Sequence, residues 1–224
     1  MRRFLTPRLP TSDAPATLSA AVSHHLLRVA GIAPDEIVEL FDGQGGVCQA
    51  ILQDVAEGRA TLRFVAPVQP PQRPARWLLA GLLTGPAFDQ VVRMSTELGV
   101  DHLCPVLLSR SIARGDRMKR WVRISESAAA QSGRAIFPTL YPPAPLTRAL
   151  DRLPHNIDGR VFVPGASAAA PAPGPAAALL GPEGGLTNPE IEEALDAGFQ
   201  MAGLGPLVLR ADTAAVAALA RLIP

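Results

Sequence analysis

The sequence predicts a two-domain α/β protein, in which a small β-barrel of residues 1–70 precedes an α/β domain of residues 75–224 with a mostly parallel sheet. Three observations indicate this fold. Short strands with tight turns follow one helix early in the chain, which is typical of a small barrel. Four prolines then fall within the eight residues 67–74, as in a stiff linker. From Arg76 onward, strands alternate with helices.

The first domain is expected to contain one helix and three strands. Apolar residues recur at helical spacing over residues 14–31, and Gly31 suits the end of that helix. The period then changes to that of strands at residues 36–41, 47–55 and 61–65. Glycine-containing turns separate these strands, so that neighbouring strands pair as hairpins.

The second domain is expected to alternate strands with helices. Residues 77–83 form a continuous apolar run, which is typical of a strand buried on both faces of a sheet. The other expected strands are 102–108, 161–163, 177–180 and 201–204. The expected helices are 88–98, 116–132, 146–153, 189–197 and 212–222. Such an alternation builds a mostly parallel sheet.

Composition indicates a soluble globular protein. The chain of 224 residues is 48% hydrophobic and 18% charged, whereas a disordered chain has less of the first and more of the second. No run of about 18 apolar residues could span a membrane. Arg2 and Arg3 begin the chain, but Thr6-Pro7-Arg8 interrupts the apolar core that a signal peptide needs. We therefore expect a cytoplasmic protein without a membrane partner.

Cysteine and histidine usage gives no reason to expect a metal site. Cys48 and Cys104 are isolated, and the chain has four histidines and no CxxC pair. The net charge of +1 argues against a protein that coats nucleic acid without discrimination, although it leaves room for a local basic face.

Several common enzyme motifs are absent from the sequence. There is no GxGxxG after an early strand, no Walker A lysine and no G-x-S-x-G elbow. The glycine turns lie late in the chain instead, at 164–165, 181–185 and 204–210, each after an expected strand. If those three strands are neighbours, the loops converge on one crevice, with Glu183 and Arg210 as its charged side chains.

The turn at Gly181–Gly185 leads into a helix that Asn188 could cap, with Pro189 at its first position and Glu190 near its positive end. Taken alone, this stretch fits a ligand loop and a plain strand-to-helix turn about equally well.

Several linked blocks resemble the SPOUT-class 16S rRNA (uracil-N3)-methyltransferase family. The strongest is Gly-Pro-Glu-Gly-Gly at 181–185, followed by Leu204-Gly205-Pro206 and by 208–215. Thr-Glu-Leu-Gly-Val at 96–100, the block at 128–134 and the turn at 40–46 agree in order and spacing. The resemblance covers nearly the whole chain.

This resemblance implies a PUA-like RNA-binding barrel, then a SPOUT domain with a deep trefoil knot, which is a rare exception to unknotted topology. It implies transfer of a methyl group from S-adenosylmethionine to N3 of a 16S rRNA uridine, uridine 1498 of the decoding region. It also implies a homodimer acting on the small ribosomal subunit. The implied cofactor residues are Val163, Pro164, Gly165, Leu180, Gly181, Pro182, Glu183, Gly184, Gly185, Leu204, Gly205, Leu209, Arg210, Thr213 and Ala214.

Two of these residues are candidates for the chemistry. Uracil N3 must lose a proton during methylation, so a base and a cation near the developing anion would help. Glu183 is the candidate base and Arg210 the candidate cation, with no metal required. The alternatives are that Glu183 caps the following helix and shapes the turn, and that Arg210 is a structural ion-pair partner of Asp212 or Glu183.

Arginines concentrated between residues 110 and 134 indicate an RNA-binding face. Arg117, Arg120 and Arg123 recur at a spacing of three, close to one side of a helix, which suits phosphate contacts. The alternatives are a solvated face and, for Arg134, a helix C-cap. The basic segment also contains Arg114, Lys119 and the acidic Asp116 and Glu126. The RNA-binding candidates are Arg2, Arg3, Arg8, Arg110, Arg117, Arg120 and Arg134.

Two other functions stay open from the sequence. One is a SPOUT methyltransferase with another RNA target, such as a ribose 2′-oxygen. The other is a non-catalytic RNA-binding or ribosome-assembly protein, because the chain departs from the family pattern on the RNA face, for example at Met94 and Ala130.

Overall fold

The computed structural model describes residues 1–112 and 117–223. The chain divides into two compact units. The N-terminal unit contains Met1–Gln72 and Ala129–Phe137, and the C-terminal unit contains Arg73–Ala128 and Pro138–Pro224. Residues 129–137 thus group with a part of the chain that lies far from them in sequence.

The N-terminal unit is built on a five-stranded sheet with the spatial order β1-β3-β4-β5-β2. Its strands are β1 (Arg3–Leu5), β2 (Ala16–Thr17), β3 (Ile37–Phe41), β4 (Val47–Ala56) and β5 (Arg59–Pro67). β1 runs parallel to β3, whereas the other pairs are antiparallel. Leu18, Leu26 and Leu40 are fully buried in its core, which also contains Phe4 and Val38.

The prediction of a helix over residues 14–31 is wrong in its extent. Helix α1 is only Ala20–His24, and it continues as one π-helical turn, His25–Val29. The Ser19 side chain accepts a hydrogen bond from the amide of Val22, so Ser19 caps the helix and sets its start. Residues Ala16–Thr17 pair with β5 instead. Leu18 and Leu26 are both buried, which explains why their spacing suggested one longer helix.

Residues 135–137 complete the N-terminal unit through its first glycine turn. The amide of Phe137 donates to the carbonyl of Gly43 at 2.8 Å, and the ring of Phe137 packs edge-on against Phe41. Gly43 has a φ of +77°, and a Cβ there would lie 2.5 Å from the Phe137 ring. Glycine is therefore required at this position both by the turn and by the contact.

The C-terminal unit alternates strands and helices along most of its length. Its strands are β6 (Arg76–Gly81), β7 (His102–Leu107), β8 (Thr139–Leu140), β9 (Ala144–Pro145), β10 (Asp158–Phe162), β11 (Ala176–Leu180) and β12 (Gln200–Ala202). Its helices are α2 (Ala87–Glu97), α4 (Leu146–Leu150), α5 (Asn188–Asp196) and α6 (Ala211–Leu222). Helix α3 (Met118–Ser132) begins in this unit, and its last four residues group with the N-terminal unit.

The sheet of this unit is parallel throughout, as the alternation predicts. Its strand order is β12-β10-β11-β6-β7-β8, with β9 also beside β7. Strands β10, β11 and β12 are neighbours, so their carboxyl ends meet at one edge. The expected strand at 201–204 is shorter and lies at Gln200–Ala202, and the expected helix at 146–153 ends at Leu150.

Helices cover both faces of this sheet. Along β6, Leu78 and Ala80 belong to one core cluster, and Trp77 and Leu79 belong to the other. Every residue of β6 is buried, as predicted for a strand covered on both sides. The trefoil knot stays a prediction. Within residues 1–112 and 117–223, no helix combines the length and apolarity that crossing a membrane would require.

Candidate active site

The loops after β10, β11 and β12 meet along one cavity of about 670 Å³. A smaller recess of about 70 Å³ shares Val163, Pro164 and Leu209 with it and adds Leu204 and Gly205. The predicted cofactor residues that line the two cavities are Val163, Pro164, Leu180, Gly181, Pro182, Glu183, Gly184, Gly185, Leu204, Gly205, Leu209, Arg210 and Ala214. Gly165 and Thr213 line neither cavity.

Some residues that line the cavity were not predicted. Leu83 lies in the turn between β6 and α2, Ala87 is the first residue of α2, and Phe162 is the last residue of β10. Arg110, which was predicted to bind RNA, also lines the cavity. No local pattern marks Leu83, Ala87 or Arg110, because the fold brings their chain segments to the three loops from distant parts of the chain. Phe162, in contrast, directly precedes the predicted Val163.

The middle loop, residues 181–186, is compact because its glycines allow close backbone contacts. A Cβ on Gly181 would lie 2.5 Å from the carbonyl carbon of Gly185, and Gly185 has a φ of +73°. A Cβ on Gly81, at the end of β6, would lie 2.5 Å from the nitrogen of Pro182. β6 therefore ends where the middle loop passes over it.

The carboxylate of Glu183 is held from outside this loop. Both the amide and the hydroxyl of Thr84 donate to Glu183 Oε1, each at 2.9 Å. Burial alone would raise the pKa of Glu183, but the hydrogen bonds from Thr84 and from the backbone amide of Glu183 outweigh it and hold the pKa below its usual range. An ionised carboxylate with a lowered pKa is a good anchor and a weak base.

The start of α5 corrects one prediction. Thr187, rather than Asn188, is the N-cap residue, and Thr187 and Glu190 form a capping box. The amide of Thr187 donates to Glu190 Oε2 at 2.8 Å. The sequence carried this signal, because threonine followed three residues later by glutamate is the capping-box pattern. Glu183 takes no part in this cap.

Glu190 also joins α5 to the segment that follows β7. Its side chain is buried, and its Oε1 accepts a hydrogen bond from the amide of Ser109 at 2.7 Å. Burial would raise the pKa of Glu190, but the bonds from the amides of Ser109 and Thr187 prevail and lower it. This contact fixes the backbone next to Arg110.

We expect the Glu190→Ala substitution to lower the free energy of unfolding at pH 7 by about 2–3 kcal/mol, because a buried anion with two backbone donors is lost. The folded pKa lies below the unfolded one, so this stabilisation is present above about pH 4.3 and is lost as the pH falls through the folded pKa. Urea unfolding at pH 7 and pH 3.5 measures it.

The exposed neighbour Glu192 provides the control for this measurement. Glu192→Ala should change the free energy of unfolding by no more than about 0.5 kcal/mol. A difference between wild type and Glu190→Ala that stays constant over this pH range would contradict the assignment.

Arg110 lies along the middle loop. Its Nη1 donates to the carbonyl oxygens of Gly184 at 2.8 Å and of Leu186 at 3.2 Å. A Cβ on Gly184 would lie 3.0 Å from the Cβ of Arg110, so the glycine allows the arginine to approach this closely.

Arg210 lies at the cavity with most of its side chain in solvent. The side chain is 84% exposed, and its Nε is 3.5 Å from Asp212 Oδ1. The predicted alternative of a pair with Asp212 is thus present as a loose contact. Arg210 and Glu183 both line this cavity, and the charge of Arg210 adds to the lowering of the Glu183 pKa.

Most of the other predicted RNA-binding arginines already have protein partners. Arg117 donates to the carbonyl of Gly85, and Arg120 Nε lies 2.8 Å from the buried carboxylate of Asp89. In the N-terminal unit, Arg2 and Arg3 lie beside Glu36 and Glu39, Arg134 donates to the carbonyl of Ile136, and Arg8 is exposed. Arg114 and Asp116 lie outside the described residues.

Within residues 1–112 and 117–223, no cluster of acidic, His or Cys side chains could hold a metal ion.

Family models match both parts of the chain. A model described as an RNA methyltransferase domain matches residues 71–223, and one described as an RNA methyltransferase PUA domain matches residues 18–65. The first covers more than half of the chain.

Individual relatives agree with these models. Ribosomal RNA small subunit methyltransferase E of Synechocystis sp. is 32% identical over 221 residues, which cover 94% of this chain and 73% of the relative. The crystal structure of the Neisseria gonorrhoeae methyltransferase of that name, bound to S-adenosyl methionine, superimposes with a TM-score of 0.85 at 31% identity, over 98% of this chain and 95% of the other. A putative methyltransferase from Legionella pneumophila, in complex with the cofactor SAM, gives 0.81 at 26% identity, over 98% and 96%. The PUA domain, the parallel sheet and the loops at its edge, together with these likenesses, show that the chain belongs to the SPOUT-class family of ribosomal RNA small subunit methyltransferase E.

Proposed function

We propose that this protein transfers a methyl group from S-adenosylmethionine to N3 of a uridine in 16S rRNA, the family target being uridine 1498, on the small ribosomal subunit. The observation that carries the proposal is the convergence of the three late loops on one cavity in a chain of this family. The relatives' names support rRNA as the substrate, and the cofactor in the gonococcal structure supports the methyl donor.

The cavity suits a cofactor of this kind. Its volume lies within the range of about 300–1,000 Å³ typical of small-molecule sites. Phe162, Leu180 and Leu209 supply apolar walls, and the glycine loop supplies backbone groups that can approach a ligand closely. S-adenosylmethionine, when bound, supplies a methyl group already activated by its sulfonium, so no metal is needed.

Arg210 and Glu183 have different roles in this proposal. Uracil N3 becomes more negative as its proton leaves, and a cation beside it lowers the energy of that state. Arg210 can do this because its side chain is 84% exposed and its contact to Asp212, at 3.5 Å, is loose. Of the two roles that the sequence left for Glu183, its bonds to Thr84 and its lowered pKa support that of shaping the turn.

Two variants separate these roles. Arg210→Ala should lower turnover on small subunits about a hundredfold and change RNA affinity less, since a lost stabiliser of developing charge costs about that much. Glu183→Gln should keep turnover within about tenfold of wild type, because the amide oxygen still accepts from Thr84. Single-turnover methylation together with RNA binding measures both. An unchanged rate for Arg210→Ala would remove it from the chemistry, and a loss of 10³ or more for Glu183→Gln would restore Glu183 as the base.

The reaction itself is tested by its product. Small ribosomal subunits from a strain lacking the activity are incubated with the protein and labelled S-adenosylmethionine, and the methylated nucleotide is mapped. A methyl group at N3 of the expected uridine supports the proposal. A methyl group on a ribose oxygen or on another base contradicts it.

We further infer a cytoplasmic homodimer, with RNA bound by the domain of residues 1–70 and methyl transfer carried out by residues 75–224. Leu207 and Val208, which are 77% and 84% exposed, support a second copy near the third loop. The arginines predicted to bind RNA remain candidates, although most would exchange an existing protein contact for a phosphate. Sedimentation of the purified protein tests the dimer.

A further inference from the structure

Apolar packing anchors the middle loop at Pro182 and Leu186 but not at its centre. Pro182 is buried, but Glu183 and Gly184 are exposed, and three of its residues are glycines without a side chain. A glycine-rich loop has many other conformations available in solution, so its shape depends on contacts from outside. In this protein two residues from distant parts of the chain make those contacts.

The first is Thr84, in the turn between β6 and α2. Its amide and its hydroxyl both donate to one oxygen of Glu183, which leaves that carboxylate little freedom to rotate. The carbonyl of Thr84 accepts a hydrogen bond from the amide of Ala87 as α2 begins, so the turn itself is held. Thr84 therefore holds the middle loop on the side of β6.

The second is Arg110, which follows β7. One of its nitrogens bridges the carbonyls of Gly184 and Leu186 and so spans the end of the loop. The buried carboxylate of Glu190 accepts a bond from the adjacent Ser109 amide, which fixes the backbone that carries Arg110. A hydrogen bond with a charged partner is stronger than one between neutral groups. The bonds from Thr84 to Glu183 and from Arg110 to the loop carbonyls are both of the charged kind.

We propose that Thr84 and Arg110 are positioning residues that keep the middle loop in its cofactor-binding shape before the cofactor arrives. The inference rests on the proposed function, because it assumes that the loop binds S-adenosylmethionine. Apparent affinity falls in proportion to the fraction of molecules in the competent shape, so releasing either hold weakens cofactor binding without RNA present. In this proposal the main effect of Arg110 is on cofactor affinity rather than on RNA affinity. If an RNA phosphate paired with the Arg110 guanidinium instead, the loop would lose its bonds to Arg110 and become less ordered.

The test is calorimetric titration of the full-length protein with S-adenosylmethionine in the absence of RNA. We expect Arg110→Met to raise the cofactor Kd about tenfold and Thr84→Val, which keeps the amide bond, about threefold. Arg110→Lys keeps a cation with several donors and should recover part of the loss. In steady-state methylation, KM for the cofactor should rise by similar factors, with kcat at saturating cofactor within about threefold of wild type.

Two controls match these variants. Thr147 Oγ1 donates to Glu193 Oε1 at 2.7 Å, an exposed threonine–glutamate bond away from the cavity, so Thr147→Val should leave the cofactor Kd unchanged. Arg123→Met removes an exposed arginine of the same basic segment. It should change RNA binding but leave the cofactor Kd unchanged.

The inference would be overturned if the wild-type protein binds S-adenosylmethionine and Arg110→Met and Thr84→Val bind it with the same Kd. If Arg110→Met raised KM for the ribosomal substrate but not for the cofactor, Arg110 would be an RNA contact only. The part of the proposal that concerns Arg110 would then be wrong. A wild-type protein that does not bind S-adenosylmethionine would instead refute the proposed function. Thermal unfolding of each variant identifies any general loss of structure, and recovery by Arg110→Lys is not expected from such a loss.

Discussion

Replacing Gly181 with alanine is expected to weaken S-adenosylmethionine binding by at least a hundredfold. The added Cβ would lie 2.5 Å from the carbonyl carbon of Gly185 and 2.6 Å from the nitrogen of Leu186. These are backbone atoms of the same loop, so the conflict is relieved only by reshaping the loop that lines the cavity. A binding loss of that size corresponds to about 2.7 kcal/mol. Calorimetric titration of the purified variant measures it.

Gly184→Ala is the graded comparison in the same loop. Its Cβ would meet the Arg110 side chain at 3.0 Å, and a side chain can move more easily than backbone. We expect a loss of about three- to tenfold for this variant. Gly174→Ala, where nothing lies within 4 Å and φ is not positive, should bind normally. Wild-type affinity in Gly181→Ala would show that the loop changes shape without cost.

Replacing Arg76 with methionine is expected to lower the free energy of unfolding by about 2–5 kcal/mol, because two carbonyl oxygens lose their partner in the interior. The Arg76 side chain is 2% exposed, and it donates to the carbonyls of Gly174 at 2.6 Å and Ala172 at 2.9 Å. Burial lowers the pKa of Arg76, and the nearby Arg73 adds to that effect. For a unit of this size the melting temperature should fall by roughly 5–15 °C.

Arg221 offers the matched comparison. Its side chain is exposed, and its Nε donates to the carbonyl of Ala169, in the same alanine- and proline-rich segment that Arg76 holds. Arg221→Met should cost no more than about 1 kcal/mol, because the side chain that is replaced is exposed rather than buried. Equal destabilisation by the two substitutions would contradict the view that burial of the arginine side chain sets the difference.

The order of the elements in the C-terminal unit could be predicted because its signals are local. The apolar run of β6 and the glycine turn after β11 each lie within a few residues. In the N-terminal unit, the two-residue β2 and the three-residue β1 are too short for a period to appear. The spacing of Leu18 and Leu26 indicated one helix, although the two residues reach the core from different elements.

The sequence predicts the glycine loop of the candidate site, but it predicts few of the side-chain contacts that hold this loop. Gly181 to Gly185 stand out in the sequence because glycine there has a conformational reason. Thr84 has no such signature, since its partner Glu183 lies 99 residues away. Arg110 could be recognised as a cation, but only the fold shows that its guanidinium points along the loop. Thr187 and Glu190 carried a readable capping signal that the more familiar Asn-Pro pair obscured.

The grouping of residues 129–137 with the N-terminal unit limits how the gene can be cut into pieces. Phe137 and Ala135 pack with Phe41 and Val47, so a fragment that stops at residue 72 would leave that apolar cluster incomplete. Its partner fragment would carry the missing stretch without the strands that bury it. A cleavage in the proline-rich stretch would therefore yield two peptides that complement each other, and neither half is a self-sufficient building block for a chimera.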